Sequence, residues 1–145
     1  MRHIMSVAQS PPTSISPGAT VLEAVQAMAR DRVGAVLAVT DGKLEGIFTE
    51  RDVMMKVVLA ELNPATTPVA RVMTRDVLTA PPDMTEDDAL ELMVDRHIRH
   101  LPIVDADQRL RGIVSIRNLL QDEVESLRGE VDSLVAYMGA DGPGG

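Results

Sequence analysis

Two halves of this sequence carry the same pattern, and this internal repeat constrains the fold more than any other feature. A shift of 65 residues aligns Pro17–Thr20 with Pro82–Thr85, and after one extra loop residue a shift of 66 aligns Gly46 with Gly112. The short stretch Ile4-Met5 also resembles Val72-Met73, upstream of each copy. The chain is therefore predicted to fold as two similar units of roughly 55–60 residues, each too small to bury a good core alone.

Each unit is predicted to follow the order β-α-β-β-α, which makes the fold class α+β with α/β-like units. Thr-x-x-acid patterns mark the start of the first helix in both copies, and short β-branched apolar runs favour buried strands after it. Asp-containing turns then separate two strands of a hairpin, and a second capped helix follows. The predicted strands are Thr13–Ile15, Ala35–Val39 and Leu44–Phe48 in the first copy, and Val77–Thr79, Leu101–Val104 and Leu110–Val114 in the second.

The hairpin of each copy leads into a related turn, Gly46–Asp52 in the first and Gly112–Asn118 in the second. Thr49 and Asp52 have the spacing of a capping box, in which a hydroxyl and a carboxylate stand beside free backbone N–H groups. The positive end of a helix dipole at the same place suits a phosphate-bearing ligand. The alternative is a capped helix without any ligand. Packing the two units about a pseudo-twofold axis would place both turns at one cleft.

Composition excludes several classes of function. The 145-residue chain carries a net charge of -8, which disfavours nucleic acid and anionic membranes as partners. It has no cysteine, and three histidines make a poor ligand set, so no metal site is predicted. No apolar stretch is long enough for a signal peptide or a membrane span, and we expect a cytoplasmic protein. The sequence contains neither a nucleophile elbow nor a Gly-rich loop with lysine, so no enzymatic activity is expected.

The chain after the second motif is predicted to be one long helix. Its apolar residues step by 4, 3, 4, 3 and 4, which is an a/d heptad seam with charged flanks. The seam favours docking within a dimer, and the alternative is an amphipathic helix packed on its own chain. The expected organisation is repeat 1 with its N-terminal segment at 1–62, a linker at 63–71, repeat 2 at 72–121, this helix at 122–139 and a flexible tail at 140–145.

Taken together, these motifs resemble a tandem pair of CBS domains, also called a Bateman module. The resemblance covers about Thr13 to Gln121 and rests on the repeated β-α-β-β-α order, on Gly-x-x-Thr-x-x-Asp at Gly46 to Asp52, and on the run His97 to Val104. It implies a stand-alone, non-enzymatic module that binds adenosyl ligands in the cleft and forms a disc-like homodimer. AMP, ADP or ATP would be a regulatory ligand, with S-adenosylmethionine or an NAD-type ligand as alternatives, and no cofactor would be required.

The resemblance also implies roles for particular residues. Thr49 would contact phosphate and Asp52 the ribose hydroxyls, and Ser115 keeps the hydroxyl in the second copy. Asn118 departs from the family pattern, because an amide has one acceptor oxygen and no charge. The Asp52 site is therefore expected to bind more tightly. The full predicted ligand-binding set is Ile15, Ala35, Val36, Thr49, Glu50, Arg51, Asp52, Thr79, Arg99, His100, Leu101, Pro102, Ser115, Arg117 and Asn118.

Basic residues between positions 96 and 117 fit a phosphate ligand, but they have a second interpretation. Arg109, Arg111 and Arg117 can equally form a solvated hairpin face, and His97 and His100 can be structural. The function predicted from the sequence is a nucleotide sensor that transmits its state to an unknown effector protein. The alternative is a structural or protein-interaction adaptor with degenerate nucleotide sites.

Overall fold

The structure, a computed structural model, describes residues 2–141, and its elements form two lobes that correspond to the two repeats. The first lobe contains β1 (Ser14–Ile15), α1 (Val21–Asp31), β2 (Ala35–Thr40), β3 (Lys43–Thr49) and α2 (Glu50–Asp52), which continues as a π-helix over Val53–Val58. A short helix, α3 (Val69–Val72), joins the repeats. The second lobe contains α4 (Glu86–Arg96), β4 (His100–Val104), β5 (Leu110–Ser115) and α5 (Ile116–Asp141), and a 3₁₀ turn, Ile4–Ser6, begins the chain.

The sheet of the first lobe has three strands in the order β1-β2-β3, and that of the second lobe is the hairpin β4-β5. β1 pairs parallel to β2, and both hairpins are antiparallel. The β2–β3 turn is made by Asp41 and Gly42, which have φ values of 53° and 79°. Positive φ at both central residues is the geometry of the two-residue turn that matches strand twist, as the Asp-Gly sequence predicts.

The second lobe lacks a counterpart of β1, and a proline explains the difference. The predicted strand Val77–Thr79 is absent, and the only pairing there is an isolated parallel bridge between Ala80 and Ile103. In the first lobe the Leu37 amide donates to the Thr13 carbonyl at 3.0 Å. The residue that matches Leu37 is Pro102, which has no N–H and cannot make this bond.

The first helix of each repeat begins at the threonine predicted from sequence. Thr20 forms a complete capping box with Glu23, whereas Thr85 accepts only one bond, from the Asp88 amide. Both helices end on a residue in the left-handed conformation, Arg32 or His97, each with φ of 55°. Met28 and Met93 were predicted to be core residues at matched positions, and both are buried.

The segments that precede the two repeats are exchanged between the lobes. The segment before the second repeat packs on the first lobe, where Thr74 and Ile47 exchange backbone hydrogen bonds of 2.9 Å. The segment before the first repeat packs on the second lobe, where Gln9 and Ile113 exchange bonds of 2.9 and 3.1 Å. Each lobe is therefore completed by chain that belongs, in sequence, to the other repeat.

These exchanged segments also fill the cores. Ile4 is fully buried among the side chains of the second lobe, and Val69, at the start of α3, is fully buried in the first lobe. Residues 63–71, expected as a linker, thus contribute to a core. A third cluster of apolar side chains joins the two lobes and contains Ala35, Leu37, Ile47 and Ile113.

α5 runs through Asp141, two residues beyond the end expected for it at 139. Residues 142–145 of the predicted tail lie outside the described part of the chain. Within residues 2–141, no helix is both long enough and apolar enough to cross a bilayer.

Candidate functional site

The first motif turn is held by a complete capping box at the start of α2. The Thr49 hydroxyl accepts from the Asp52 amide at 3.2 Å, and the Asp52 carboxylate accepts from the Thr49 amide at 3.0 Å. The second carboxylate oxygen of Asp52 lies 3.4 Å from the Lys56 ammonium. The Thr49 hydroxyl hydrogen remains free to donate to a phosphate, because the hydroxyl acts only as an acceptor in the cap. A ribose hydroxyl that binds the Asp52 carboxylate would therefore share it with the Lys56 ammonium.

The second motif turn is built differently. The Ser115 hydroxyl accepts from the Asn118 amide at 3.1 Å, which is half of a capping box. The Asn118 side-chain amide instead donates to the Val7 carbonyl at 3.4 Å. A carboxylate at this position could only accept, so it could not make that bond. The departure from the family pattern at Asn118 therefore coincides with a contact to the exchanged N-terminal segment.

The strands place predicted residues beside both turns. Ala35 pairs with Thr49 across the first hairpin, and His100 pairs with Ser115 across the second. The side chains of Val36 and Leu101 are fully buried in the cores of their own lobes, so only their backbone groups can face a ligand. Three further predicted residues differ in burial: Ile15 is partly buried against the first core, Pro102 is fully buried, and Thr79 is exposed.

Glu50 of the first motif turn and His100 of the second lobe both approach Gly34, a residue that the sequence analysis did not single out. A Cβ atom built on Gly34 would lie 3.1 Å from a Glu50 carboxylate oxygen and 3.4 Å from His100 Nε2. The Gly34 carbonyl also accepts from the Glu50 amide at 2.9 Å. The sequence did contain a signal for this residue, because the two repeats differ here: the position that matches Gly34 in the second repeat is Arg99.

The charge on His100 is controlled by its surroundings. Burial is the main cause that lowers the pKa of His100 below its usual value of 6.5, and the positive charge of Arg99 lowers it further. The Glu50 carboxylate acts in the opposite direction. His100 is therefore a neutral imidazole at neutral pH, positioned where the first repeat contacts the second.

The predicted arginines are solvent-facing. Arg51 and Arg117 are exposed at matched positions near the starts of α2 and α5, and Arg99 is also exposed. The Arg99 carbonyl accepts from the Ile116 amide at 2.9 Å, as the Gly34 carbonyl does from Glu50.

Arg109 and Arg111 are at the other end of their hairpin. Arg109 lies over the β2–β3 turn, with its guanidinium 2.6 Å from the position of a Cβ on Gly42. Arg111 lies 4.0 Å from the Asp105 carboxylate. Four to six residues separate them from Ser115, and at about 3.3 Å per residue they are roughly 13–20 Å from the motif turn. Both belong to a hairpin face, the alternative that the sequence left open.

Two concave surfaces lie elsewhere, along α5. A shallow groove of about 780 Å³ follows the helix from Asp122 to Tyr137, and a smaller cavity of about 240 Å³ lies between Arg2, Glu86 and Asp122. Neither is lined by residues of the motif turns. Across the described residues, no group of three or more histidine, aspartate or glutamate side chains could hold a metal ion.

Comparison with known proteins agrees with this arrangement of lobes and turns. The family model for the CBS domain matches the chain twice, over residues 2–59 and 69–125. This chain belongs to the CBS-domain family. As a CBS-domain pair it is 35% identical over 113 residues to the CBS domain-containing protein YhcV of Bacillus subtilis, covering 78% of this chain and 79% of YhcV.

Other relatives are longer than the region they share with this CBS pair. It is 39% identical to the uncharacterized protein MK0525 of Methanopyrus kandleri, over 74% of this chain and 56% of that protein. It is 38% identical to inosine-5′-monophosphate dehydrogenase of Methanocaldococcus jannaschii, over 74% of this chain but 21% of the enzyme. The chain thus spans between a fifth and four fifths of these relatives.

Solved CBS structures have the same fold. The CBS domain structure of NE2398 matches with a TM-score of 0.77 and 33% identity, covering 85% of this chain and 98% of the other. The CBS pair of MJ0100, solved with 5′-methylthioadenosine and S-adenosyl-L-methionine, matches with a TM-score of 0.79 and 24% identity over 87% of this chain and 98% of the other. PAE2072 of Pyrobaculum aerophilum, complexed with AMP, matches with a TM-score of 0.74 and 24% identity, covering 80% of this chain and 88% of the other.

Proposed function

We propose that this CBS pair is a non-catalytic regulatory module that binds an adenosyl ligand between its repeats and transmits the bound state to an effector protein. The observation that carries the proposal is the junction at Gly34, where Glu50 of one repeat and His100 of the other converge beside the Thr49–Asp52 turn. A ligand at this place would touch both lobes. Its binding energy could therefore shift their relative arrangement.

An adenine nucleotide is the ligand proposed first. The Thr49 hydroxyl and the amides at the start of α2 can donate to phosphate, and the exposed Arg51, Arg99 and Arg117 add positive charge around the turns. Asp52 can accept from the ribose hydroxyls. The complexes of PAE2072 with AMP and of MJ0100 with two adenosyl compounds support the same ligand class for this fold, with S-adenosylmethionine as the alternative ligand.

The proposal includes unequal sites and a homodimer in the cytoplasm. The Asp52 site has a charged acceptor, whereas Asn118 is neutral and its side-chain amide already donates to the Val7 carbonyl. Exposed apolar residues occupy matched positions on the helices that follow the two motifs, and these support assembly with a second copy. They are Met54 and Val58 after the first motif, and Leu120 and Val124 after the second.

Calorimetric titration of AMP, ATP and S-adenosylmethionine tests the proposal directly. We expect saturable binding of at least one ligand, and we expect Asp52→Ala to weaken it by at least about tenfold, because a hydrogen bond to a charged group is lost. Asn118→Ala is the matched variant and should weaken binding only by a few fold. The capping bond lost in Asp52→Ala costs about 1 kcal/mol of stability, so thermal unfolding of each variant is the folding control.

Two outcomes would contradict the proposal. A larger loss in Asn118→Ala than in Asp52→Ala would reverse the ranking of the sites. Absence of binding to all three ligands at millimolar concentration, in a folded protein, would favour the second candidate, a protein-interaction adaptor. The observation that favours the adaptor is that Thr49 and Asp52 already satisfy each other in the cap.

A further inference from the structure

The apolar seam of α5 is uncovered along its whole length. Its six residues have between 46% and 61% of their surface exposed, although all are Val, Leu or Met. Six apolar side chains in a row on one helix face are more than scattered surface residues, and such a stripe is expected to meet a partner. The seam residues are Leu120, Val124, Leu127, Val131, Leu134 and Met138.

The helix contacts its own chain through a different face. Leu119 is buried against the second lobe, Asp122 binds Arg2 at 2.6 Å, and Ser126 is partly buried. On a helical wheel these three residues lie about 100–160° from the centre of the seam, at c and f positions outside it. Every residue from Leu127 to Gly139 is exposed. No part of the chain between residues 2 and 139 therefore covers the seam, which argues against an amphipathic helix packed on its own lobe.

The residue types in the seam indicate how many helices pair. The a positions are Val124, Val131 and Met138, and the d positions are Leu120, Leu127 and Leu134. Among parallel coiled coils, β-branched residues at a with leucine at d favour two strands, and two of the three a residues here are valine. Gly129, which would weaken packing within a seam, falls on the outer face with nothing within 4 Å of its Cβ position.

The charges beside the seam favour a parallel pair. Glu123 is at a g position and Arg128 at the following e position, and in a parallel coiled coil these two positions face each other across the helices. A symmetric dimer would therefore contain two Glu123–Arg128 contacts. An antiparallel pair with the same overlap would bring Glu130 near Glu130 and Arg128 near Arg128, which are like charges.

We propose that α5 pairs with α5 of a second copy as a parallel, in-register, two-stranded coiled coil over Leu120–Met138. This inference rests on the homodimer proposed above and is independent of any ligand. It specifies the partner, the direction and the register, and it places both CBS pairs at the same end of the coiled coil. The Asp122 face stays in contact with each copy's own lobe.

Cysteine cross-linking tests the direction, because the natural chain has no cysteine. In a parallel, in-register pair, residue 120 of one copy lies opposite residue 120 of the other. Leu120→Cys should therefore form a disulfide-linked dimer on mild oxidation, and Met138→Cys should do so for the same reason. Ser133→Cys is exposed but faces away from the seam, and it should remain monomeric on a non-reducing gel. All three positions are exposed within the single chain, so each variant should keep the fold of the two lobes, which far-UV circular dichroism checks.

The arrangement would be overturned by either of two results. Cross-links that form only in a mixture of Leu120→Cys with Met138→Cys would mean an antiparallel pair. No cross-link at either position, together with a monomer by sedimentation at micromolar concentration, would mean that the seam does not bind a second copy.

A charge exchange tests the register without changing the seam. Arg128→Glu would place glutamate opposite Glu123 twice per dimer and should weaken dimerisation by about tenfold. The double variant Glu123→Arg with Arg128→Glu restores opposite charges and should regain the parent affinity. Failure of the double variant to recover would contradict the proposed register.

The same proteins separate this inference from the proposed function. Cross-linking at Leu120 without nucleotide binding would leave the coiled coil intact and refute the sensor. Nucleotide binding without cross-linking would support the sensor and refute the coiled coil.

Discussion

Single residues make the two halves of this CBS pair unequal. Asp52 completes a capping box, and Asn118 uses its amide on Val7 instead. Gly34 leaves space for Glu50 and His100 to converge, whereas the matching position in the second repeat is Arg99. The pseudo-symmetric fold therefore presents two motif turns with different charge and different hydrogen-bonding capacity.

Proton uptake by His100 should accompany nucleotide binding. Burial holds the pKa of His100 below 6.5, and a phosphate nearby would raise that pKa by stabilising the imidazolium. Binding should therefore take up protons at pH values between the pKa of the free form, which lies below 6.5, and the raised pKa of the bound form, and it should weaken as pH rises through that range. Titrations in two buffers of different ionisation enthalpy measure the uptake.

The matched control for this prediction is His97→Asn, which changes an exposed histidine three residues earlier. His100→Gln should abolish most of the proton uptake, and His97→Asn should preserve it. Equal uptake in the parent and in both variants would assign the proton to another group and remove His100 from the phosphate site.

At the scale of elements, α4 and α5 meet through carboxyl groups. The side chain of Glu86, at the start of α4, has one buried oxygen without a hydrogen-bond partner. Burial, followed by the nearby Asp122 carboxyl group on α5, raises the pKa of Glu86 to about 7. Glu123 also raises this pKa, and Arg2 lowers it.

The free energy of unfolding should consequently decline as pH rises, because of this contact between α4 and α5. The folded state holds the Glu86 proton more tightly than the unfolded chain, whose pKa is near 4.5. The contribution is fully present below pH 4.5 and is lost as pH rises through about 7. Glu86→Gln should be roughly 1–2 kcal/mol more stable than the parent at pH 8, less than the full shift implies, because water screens the site.

Denaturant unfolding at pH 5 and pH 8 measures this effect, with the exposed Asp87→Asn as the matched loss of charge on the same helix. The advantage of Glu86→Gln should shrink towards pH 5. An advantage that is the same at both pH values, or that Asp87→Asn reproduces, would mean that the Glu86 proton is not involved.

Local patterns predicted most of these elements, and long-range contacts account for what they missed. Thr20 with Glu23, and Thr49 with Asp52, mark helix starts because capping depends on residues three apart. The missing strand near Val77 depends on Pro102, and the Arg2–Asp122 contact joins residues 120 positions apart. Those effects appear only when the chain is folded.

The same distinction applies to the candidate site. Thr49, Asp52 and Ser115 were identified from their spacing, and the structure places all three at helix starts, with Thr49 and Ser115 also paired across their hairpins. Gly34 has no side chain and belongs to no motif, so its role in bringing Glu50 near His100 could not be predicted. The hydrogen bond from Asn118 to Val7 depends on the exchanged N-terminal segment, and no local pattern places that segment on the second lobe.

At the scale of the whole molecule, the exchange of segments should give crossed effects of mutation. Ile4→Ala should cost about 2–5 kcal/mol, since it leaves a cavity in a fully buried position, and it should loosen the second lobe. Val69→Ala should loosen the first lobe, although residue 69 lies next to the second repeat in sequence. Hydrogen exchange by peptide mass spectrometry would locate each loss of protection.

The two variants serve as controls for each other. We expect Ile4→Ala to reduce protection first in β4 and β5, and Val69→Ala to do so in β2 and β3. Loss of protection in the lobe adjacent in sequence, in either variant, would contradict the exchange.

The exchanged segments also suggest how such a molecule can arise. Two separate copies of a single repeat, each lending its leading segment to the other, would make the same backbone pairings that Gln9 and Thr74 make here. Gene duplication and fusion would then join partners that were already interlocked, and no new interface would have to evolve. Asymmetry such as Asn118 and Gly34 could accumulate only afterwards, once the two copies were encoded separately within one chain.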